Sequence, residues 1–212
     1  MPKRELQTAA PLIPERPTIP KLRAAAASCR ACDLWKTGTQ TVFGEGGAKP
    51  RVMLVGEQPG DQEDLQGRPF VGPAGRILDK ALEEAGIDRK EIYVTNAVKH
   101  FKFERVGKRR IHKTPAPVEV AACRPWLESE LALVRPNIVV CLGATAARSM
   151  LGDQFRLMKQ HGQWIESRWA PRTMATIHPS AVLRADDPPM QERNYAILRD
   201  DLRKVATELL GS

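Results

Sequence analysis

Four cysteines are the residues of this sequence whose type and spacing most directly suggest chemistry. Cys29 and Cys32 are separated by two residues, so two thiolates from one turn could hold one metal centre, and Cys123 and Cys141 complete a set of four. Four thiolates suit zinc or an iron–sulfur cluster, and the number of ligands does not distinguish the two. The alternative for Cys141, which lies inside an apolar run, is a small core residue with no ligand role.

A second group of candidates follows the apolar run at residues 52–55. The segment 56–64 begins with Gly56, continues with Glu57 and Gln58, and carries four carboxylates, Asp61 among them. Its glycines permit a tight turn that brings backbone amides close to a ligand, and a carboxylate there could act as a general base or stabilise a cation. The alternative is a polar turn between a strand and a helix with no further role.

Three more side chains could contact a flat ligand. Phe70 lies between glycines just before a helix and is either a core residue or a stacking surface. Asn96 ends an apolar run and offers one donor and one acceptor, or else caps a turn. His178 follows another apolar run and precedes a proline, and a lone histidine of this kind is more often structural than catalytic.

Positive charge is concentrated at residues 99–113, where His112 also lies. This stretch holds seven basic residues and one acidic residue, and so supplies six of the eight net positive charges of the chain. A basic loop of this kind could contact phosphates, which makes nucleic acid the first partner to consider. The alternative is a generally basic surface that serves solubility.

Apolar runs and helical spacings alternate along the rest of the sequence. Runs typical of strands buried on both faces lie at 52–55, 92–98, 138–142 and 173–177, and helical spacing covers 74–85, 118–134, 144–151 and 190–210. This alternation predicts an α/β fold, a single domain with a central four-stranded parallel sheet flanked by helices on both faces. Ligands bind beyond the carboxyl ends of such strands, where Gly56, Asn96 and His178 lie.

The ends of the chain predict its organisation and compartment. Residues 1–20 are rich in proline and are interpreted as an N-terminal arm, and residues 21–212 as the domain. No apolar run approaches the roughly 20 residues that span a bilayer, and the N-terminus lacks the apolar core of a signal peptide. We therefore expect a cytoplasmic protein, where four cysteines are better explained by metal binding than by disulfides.

Taken together, these segments resemble the uracil-DNA glycosylase superfamily, in particular its iron–sulfur branch. The matching stretches are 56–64, 67–75, 96–99, 135–143 and 178–180, in the family's order. Two features resemble family X within that branch: Gln58 in the first strand-end turn and the sequence Lys-Arg-Arg-Ile-His at residues 108–112. The resemblance implies a structural 4Fe-4S cluster held by Cys29, Cys32, Cys123 and Cys141, with zinc as the less favoured alternative.

For the base, the resemblance implies a pocket in which Phe70 stacks on uracil and Asn96 bonds to its polar edge. Gly56 and Gln58 are assigned to the same substrate-binding group. His178 would donate a hydrogen bond to a uracil oxygen as negative charge develops on the departing base. Single-stranded DNA is the expected preference, because a base there costs less to unstack.

For the sugar, we expect Glu57 or Asp61 to stabilise the cation or to orient a nucleophile. His112 would attack C1′ and remain bonded to it, with a loop carboxylate such as Glu57 accepting the proton of its second ring nitrogen. Arg110 is expected at the same site, bracing the basic loop or binding a phosphate. Three residues are assigned to DNA binding: Lys108, Arg109 and Lys113.

Two other functions compete with covalent trapping. One is a uracil-DNA glycosylase that turns over and leaves an abasic site, with His112 merely lining a groove. The other is a non-catalytic nucleic-acid-binding module whose four cysteines hold zinc. Nothing in the sequence suggests an obligate dimer, so we expect a monomer.

Overall fold

A central sheet of five strands organises the protein, whose computed structural model describes residues 7–211. The strands are β1 (Glu45–Gly46), β2 (Val52–Gly56), β3 (Ile92–Asn96), β6 (Ile138–Leu142) and β7 (Arg172–Thr176), in the order β1-β3-β2-β6-β7. β3, β2, β6 and β7 run parallel, which confirms the predicted four-stranded parallel arrangement. β1 adds an antiparallel edge of two residues, too short for its alternation to be visible in the sequence.

Helices cover both faces of this sheet, as predicted. They are α1 (Ile19–Ala26), α2 (Asp61–Gln66), α3 (Pro73–Ala85), α4 (Pro117–Val134), α5 (Ala144–Leu151), α6 (Leu157–Gln160), α7 (Ser180–Leu183) and α8 (Pro188–Leu210). α3 and α8 pack on one face, where Leu54 and Val140 point. α4 and α5 pack on the other, where Val55 and Val139 point. Because alternate strand residues enter opposite cores, the central strands carry apolar residues at consecutive positions.

The basic segment was expected to be a loop, and that expectation is wrong. Residues 103–112 form an antiparallel hairpin of β4 (Phe103–Val106) and β5 (Arg109–His112), with Gly107 in the turn at φ 60°. Arg110 and His112 are two residues apart on β5 and therefore share one face, while Arg109 and Ile111 share the other. This alternation decides which side chains of the segment reach the body of the protein.

The N-terminal segment packs on the domain from residue 9 onward. Ala9 is fully buried and its backbone N–H donates to the carbonyl of Ala122 in α4 over 2.9 Å. A short 3-10 helix spans Ala10–Leu12, and α1 begins at Ile19, so the proposed boundary at residue 20 falls inside a helix. Residues 1–6 of the predicted arm, and residue 212, lie outside the described residues. None of the helices within residues 7–211 combines the length and apolar composition needed to cross a membrane.

Candidate active site

A cavity of about 450 Å³ opens at the carboxyl ends of β2, β3, β6 and β7. Six residues singled out from the sequence line it: Glu57, Gln58, Phe70, Asn96, His112 and His178. Residues that the sequence analysis had not singled out also line it, among them Glu63, Thr114, Thr145 and Arg184. The cavity therefore lies where parallel-sheet proteins hold ligands.

Asn96 and Phe70 approach each other over Gly56 at the floor of this cavity. A Cβ atom at Gly56 would collide with Asn96 Oδ1 and would lie 2.8 Å from Phe70 Cζ, so glycine is required there. Asn96 is 2% exposed, and its Oδ1 accepts no hydrogen bond from any described residue. A buried acceptor without a donor costs free energy, and here it lines a cavity that could admit a ligand N–H.

The backbone around Phe70 is adapted to place its ring. Phe70 has a φ of 55°, which is uncommon for a residue with a side chain, and a Cβ atom at Gly75 would collide with its carbonyl oxygen. Its ring lies 5.9 Å from the imidazole of His178, with 30° between the two planes. Residues held in such conformations often occur at functional sites.

His178 is held in one orientation by the residue two positions after it. The backbone N–H of Ser180 donates to His178 Nδ1 over 3.1 Å, and the Ser180 hydroxyl lies 2.7 Å from the same nitrogen. Because Nδ1 accepts, the neutral ring carries its proton on Nε2. Burial, together with the positive charge of Arg184, lowers the pKa of His178 to about 3, so the imidazole is neutral at physiological pH.

His112 lies beside Glu57 at the same cavity. His112 Nε2 is 3.3 Å from Glu57 Oε1, a separation at which the two groups interact electrostatically without an aligned hydrogen bond. Burial lowers the pKa of His112; the Glu57 carboxylate opposes this shift and the charge of Arg184 adds to it. The net direction keeps this imidazole unprotonated at neutral pH, which is the form with a free lone pair.

Arg110 anchors the hairpin that carries His112. Its Nε donates to Asp61 Oδ1 and its Nη1 to Asp64 Oδ2, each over 2.6 Å, and the guanidinium lies over the rings of Phe101 and Phe103. Asp64 is fully buried and the Arg110 side chain is 11% exposed. Neither Asp61 nor Arg110 lines the cavity, so the geometry gives them a positioning role through β5.

Gln58 secures the base of the same hairpin. Its amide Nε2 donates to the carbonyls of Lys102 and Lys113, both over 3.1 Å, and its Oε1 accepts from the Lys102 N–H over 2.9 Å. These bonds join the residues before β4 and after β5 to the loop that follows β2. The amide is therefore occupied by backbone groups, although the side chain also lines the cavity.

Fewer basic side chains of residues 99–113 are free to contact a phosphate than the sequence suggested. Lys99 is buried and bonded to Glu130 over 2.5 Å, Lys102 pairs with Glu119, and Lys113 pairs with Glu104. With Arg110 also paired, the basic residues of the segment that have no carboxylate partner among residues 7–211 are those at the exposed end of the hairpin, Arg105, Lys108 and Arg109.

Three of the four cysteines lie near one another, and the fourth does not. Cys29, Cys32 and Cys123 share a cluster with Trp126 and Val98. Burial raises the pKa of Cys123, and the nearby thiols of Cys32 and Cys29 act in the same direction. Cys141 instead lies in the middle of β6, where its Sγ is 3.6 Å from Met150 Sδ in a separate core. The assignment of Cys141 as a ligand is therefore wrong on geometry, because a central strand turns that thiol away from the other three.

The remaining thiols do not form a site for a single ion. Within the part of the chain that the structure describes, no three His, Cys, Asp or Glu side chains converge as the ligands of one metal ion would. An iron–sulfur cluster is larger than one ion and spreads its thiolates farther apart, so three neighbouring thiols fit a cluster better than zinc. His100, which is 6% exposed, directly follows Lys99, whose backbone N–H donates to Cys123 Sγ over 3.2 Å. His100 was not singled out from the sequence, because the four cysteines already gave four ligands by number.

Known proteins are similar to this chain over most of its length. Residues 43–203 match the uracil DNA glycosylase superfamily. The chain is 38% identical to a type-4 uracil-DNA glycosylase of Thermotoga maritima over 157 residues, which is 74% of this chain and 78% of the relative. It is 32% identical to a type-4 enzyme of Sulfurisphaera tokodaii over 196 residues (89% and 83%), and 31% identical to a type-5 uracil-DNA glycosylase of Pyrobaculum aerophilum over 182 residues (77% and 76%).

Proposed function

Because the chain belongs to the uracil DNA glycosylase superfamily, we propose that it excises uracil from DNA and that His112 then bonds to C1′ of the deoxyribose. The observation that carries the second part is the position of a neutral imidazole beside Glu57, at the cavity that also holds Phe70, Asn96 and His178. The cavity supplies the base-binding groups, and the hairpin brings a nucleophile to it.

Uracil recognition rests on the unsatisfied acceptor of Asn96. Uracil presents an N–H between two carbonyl groups, so Asn96 Oδ1 can accept from that N–H while its amide nitrogen donates to a neighbouring carbonyl. Cytosine has an acceptor nitrogen where uracil has the N–H, and would leave Oδ1 unpaired. Phe70 lies against this site and stacks on the ring.

Cleavage breaks the bond between C1′ and N1 of uracil, and the electron pair leaves with the base. His178 is suited to stabilise the resulting anion, because its Nε2 carries a proton and its ring stays neutral. A neutral donor of this kind requires no charge to be buried before the reaction begins. The developing positive charge on the sugar is met by the carboxylate of Glu57.

His112 then competes with water for C1′. A lone pair of the neutral ring forms the new bond to C1′, and the proton of the other ring nitrogen passes to Glu57, so that charge balances. An imidazole held in position reacts faster than a diffusing water molecule, because the entropy of its approach is already lost. Once that proton is lost, breaking the new bond would release an imidazolide anion, which is a poor leaving group, so the adduct persists and the protein reacts once.

The exposed end of the hairpin is the proposed DNA contact. Lys108 and Arg109 lie there and form no ion pair with a carboxylate of residues 7–211. The exposed pair of Lys113 with Glu104 is weak and would be replaced by contact with a phosphate. Single-stranded DNA is the preferred substrate, since the base enters the cavity without the cost of breaking a pair. We expect a monomer that acts in the cytoplasm, where thiols stay reduced.

The test of this function is incubation with a labelled single-stranded oligonucleotide that contains one uracil, followed by a heated denaturing gel and measurement of free uracil. We expect free uracil and a slowly migrating protein–DNA band, neither of which a thymine oligonucleotide gives. Uracil release without the band would indicate a glycosylase that turns over. Neither product would indicate a non-catalytic nucleic-acid-binding module.

We also propose a structural 4Fe-4S cluster held by Cys29, Cys32 and Cys123, with His100 as the fourth ligand. Its role would be to fix the segments that carry these residues, and no step of the reaction passes through it. The expected result is that Cys123→Ala purifies colourless and without iron, while Cys141→Ala stays brown with the iron content of the wild type. His100→Ala should lower the iron content.

Cys141→Ala is the matched control, because both substitutions remove one buried thiol. Equal iron loss in the two variants would contradict this ligand assignment. A colourless wild-type protein that contains zinc would favour the zinc alternative instead.

A further inference from the structure

Arg184, an arginine that has no ion-pair partner among the described residues, lies at the rim of the active-site cavity. Arg184 lines the cavity, it is exposed, and no carboxylate among residues 7–211 forms an ion pair with it. His112 and His178 line the same cavity. Burial lowers the pKa of both imidazoles, and the positive charge of Arg184 acts in the same direction. An unpaired guanidinium in this position is suited to bind an anion.

The backbone that presents Arg184 is fixed to the active site. Ala181 N–H donates to the His178 carbonyl over 2.8 Å, and Arg184 N–H donates to the Ser180 carbonyl over 3.1 Å. Asn194 of α8 donates from its side chain to the Ala181 carbonyl over 3.0 Å, which ties α7 to α8. Arg184 is therefore attached by one short helical turn to the residue that faces the departing base.

We propose that Arg184 binds a phosphate that flanks the target uridine and so forms a phosphate-binding site at the cavity rim. This inference rests on the proposed function. A nucleotide that enters base first leaves its sugar at the cavity mouth and its two phosphates outside, at the level of the rim. A phosphodiester carries one negative charge on two free oxygens, which the planar donors of a guanidinium match in geometry.

The departing uracil is the other anion that could reach Arg184. In the proposed function, Asn96 and Nε2 of His178 already donate hydrogen bonds to this base. Asn96 is buried and His178 is half-buried in the cavity. Arg184 is exposed to solvent, as expected of a residue that meets the DNA backbone. The phosphate is therefore the anion that the geometry favours.

The test uses three single-stranded oligonucleotides with one uracil: unmodified, and with a neutral methylphosphonate on the 5′ or the 3′ side of the uridine. Dissociation constants and single-turnover rates of uracil release are measured for the wild type, Arg184→Ala, Arg184→Lys and Arg193→Ala. Arg193 is an exposed arginine of α8 that does not line the cavity, and so serves as the matched control.

We expect one methylphosphonate to weaken wild-type binding about tenfold, the size of one charged hydrogen bond. Arg184→Ala should bind unmodified DNA about tenfold more weakly and should lose little more when that same phosphate is neutral. Arg184→Lys should bind more tightly than Arg184→Ala but more weakly than the wild type, because lysine keeps the positive charge but lacks the planar, paired N–H donors of the guanidinium. Arg193→Ala should behave as the wild type.

The proposal is overturned if the loss of affinity from Arg184→Ala multiplies with the loss from each of the two methylphosphonates. Independent effects of this kind would mean that Arg184 contacts neither phosphate. It is also overturned if Arg184→Ala slows uracil release equally on all three oligonucleotides with unchanged binding, which would assign Arg184 to the uracil. A failure of the proposed function itself is distinguishable, since the wild type would then release no uracil from the unmodified oligonucleotide.

Discussion

His112→Ser is expected to abolish the heat-stable protein–DNA band while uracil release continues. The substitution removes the imidazole that would attack C1′, and serine has no comparable lone pair within reach. Asn96, Phe70 and His178 lie on other segments and should still bind and cleave the nucleotide. Water then captures the sugar, so the variant should turn over and leave abasic sites. The measurement is a denaturing gel beside a uracil-release time course.

Lys113→Ser is the matched control for this experiment. Lys113 is the next residue along the chain, and its side chain pairs at the surface with Glu104, both groups being more than half exposed. Its loss should weaken DNA binding slightly and leave the band intact at saturating DNA. An unchanged band in His112→Ser would show that another residue forms the bond. Loss of both band and uracil release would assign His112 to the cleavage step instead.

Arg110→Ala is expected to slow adduct formation about 100-fold, because a displacement of about 1 Å at a nucleophile has an effect of that size. The substitution removes both ion pairs that fix β5, so His112 is no longer held against Glu57. It also leaves the buried carboxylate of Asp64 with only the N–H and hydroxyl of Thr39, and we expect the free energy of unfolding to fall by about 3 kcal/mol. Uracil release should fall much less, since Asn96 and His178 are held by other segments.

Arg109→Ala controls for loss of charge in the hairpin. Arg109 is adjacent in sequence but lies on the opposite, solvent-facing side of β5. We expect its removal to weaken DNA binding and to change the free energy of unfolding by less than about 0.5 kcal/mol. The measurements are the rate of band formation at saturating DNA, the rate of uracil release and urea unfolding. A normal rate of band formation in Arg110→Ala would contradict the positioning role.

The number of basic side chains that are free to contact DNA was overestimated from the sequence. Four of the seven in the basic segment form ion pairs within the protein: Lys99, Lys102, Arg110 and Lys113. A count of basic residues does not reveal which carboxylates they will meet, and here the partners lie 9 to 49 positions away in the chain. Glu130 and Asp64 are fully buried, and their charges require a cation nearby. Two of the seven basic residues therefore serve the interior of the protein, and the free charge is confined to the tip of the hairpin.

Cys141 shows a second limit of reading ligands from sequence. Four cysteines in a reducing compartment form a complete set by number, and the two-residue spacing of Cys29 and Cys32 supports it. The number of cysteines does not show in which direction each thiol points. Successive side chains of a central strand point to opposite faces of the sheet and enter two separate cores. The thiol of Cys141 enters the core beneath α4 and α5, away from the cluster that contains Cys29 and Cys123.

The sequence by itself determined the parallel sheet, the flanking helices and the residues at the carboxyl ends of the strands. These follow from local patterns, because a strand buried on both faces is mainly apolar at consecutive positions, and the residues that follow such a run can be read directly from the sequence. Only the tertiary structure decided that residues 103–112 form a hairpin, that Arg110 fixes it to Asp61 and Asp64, and that His112 therefore lies beside Glu57. Those outcomes depend on contacts between segments that are distant in the chain, and a local pattern of residues does not predict which distant segments will meet.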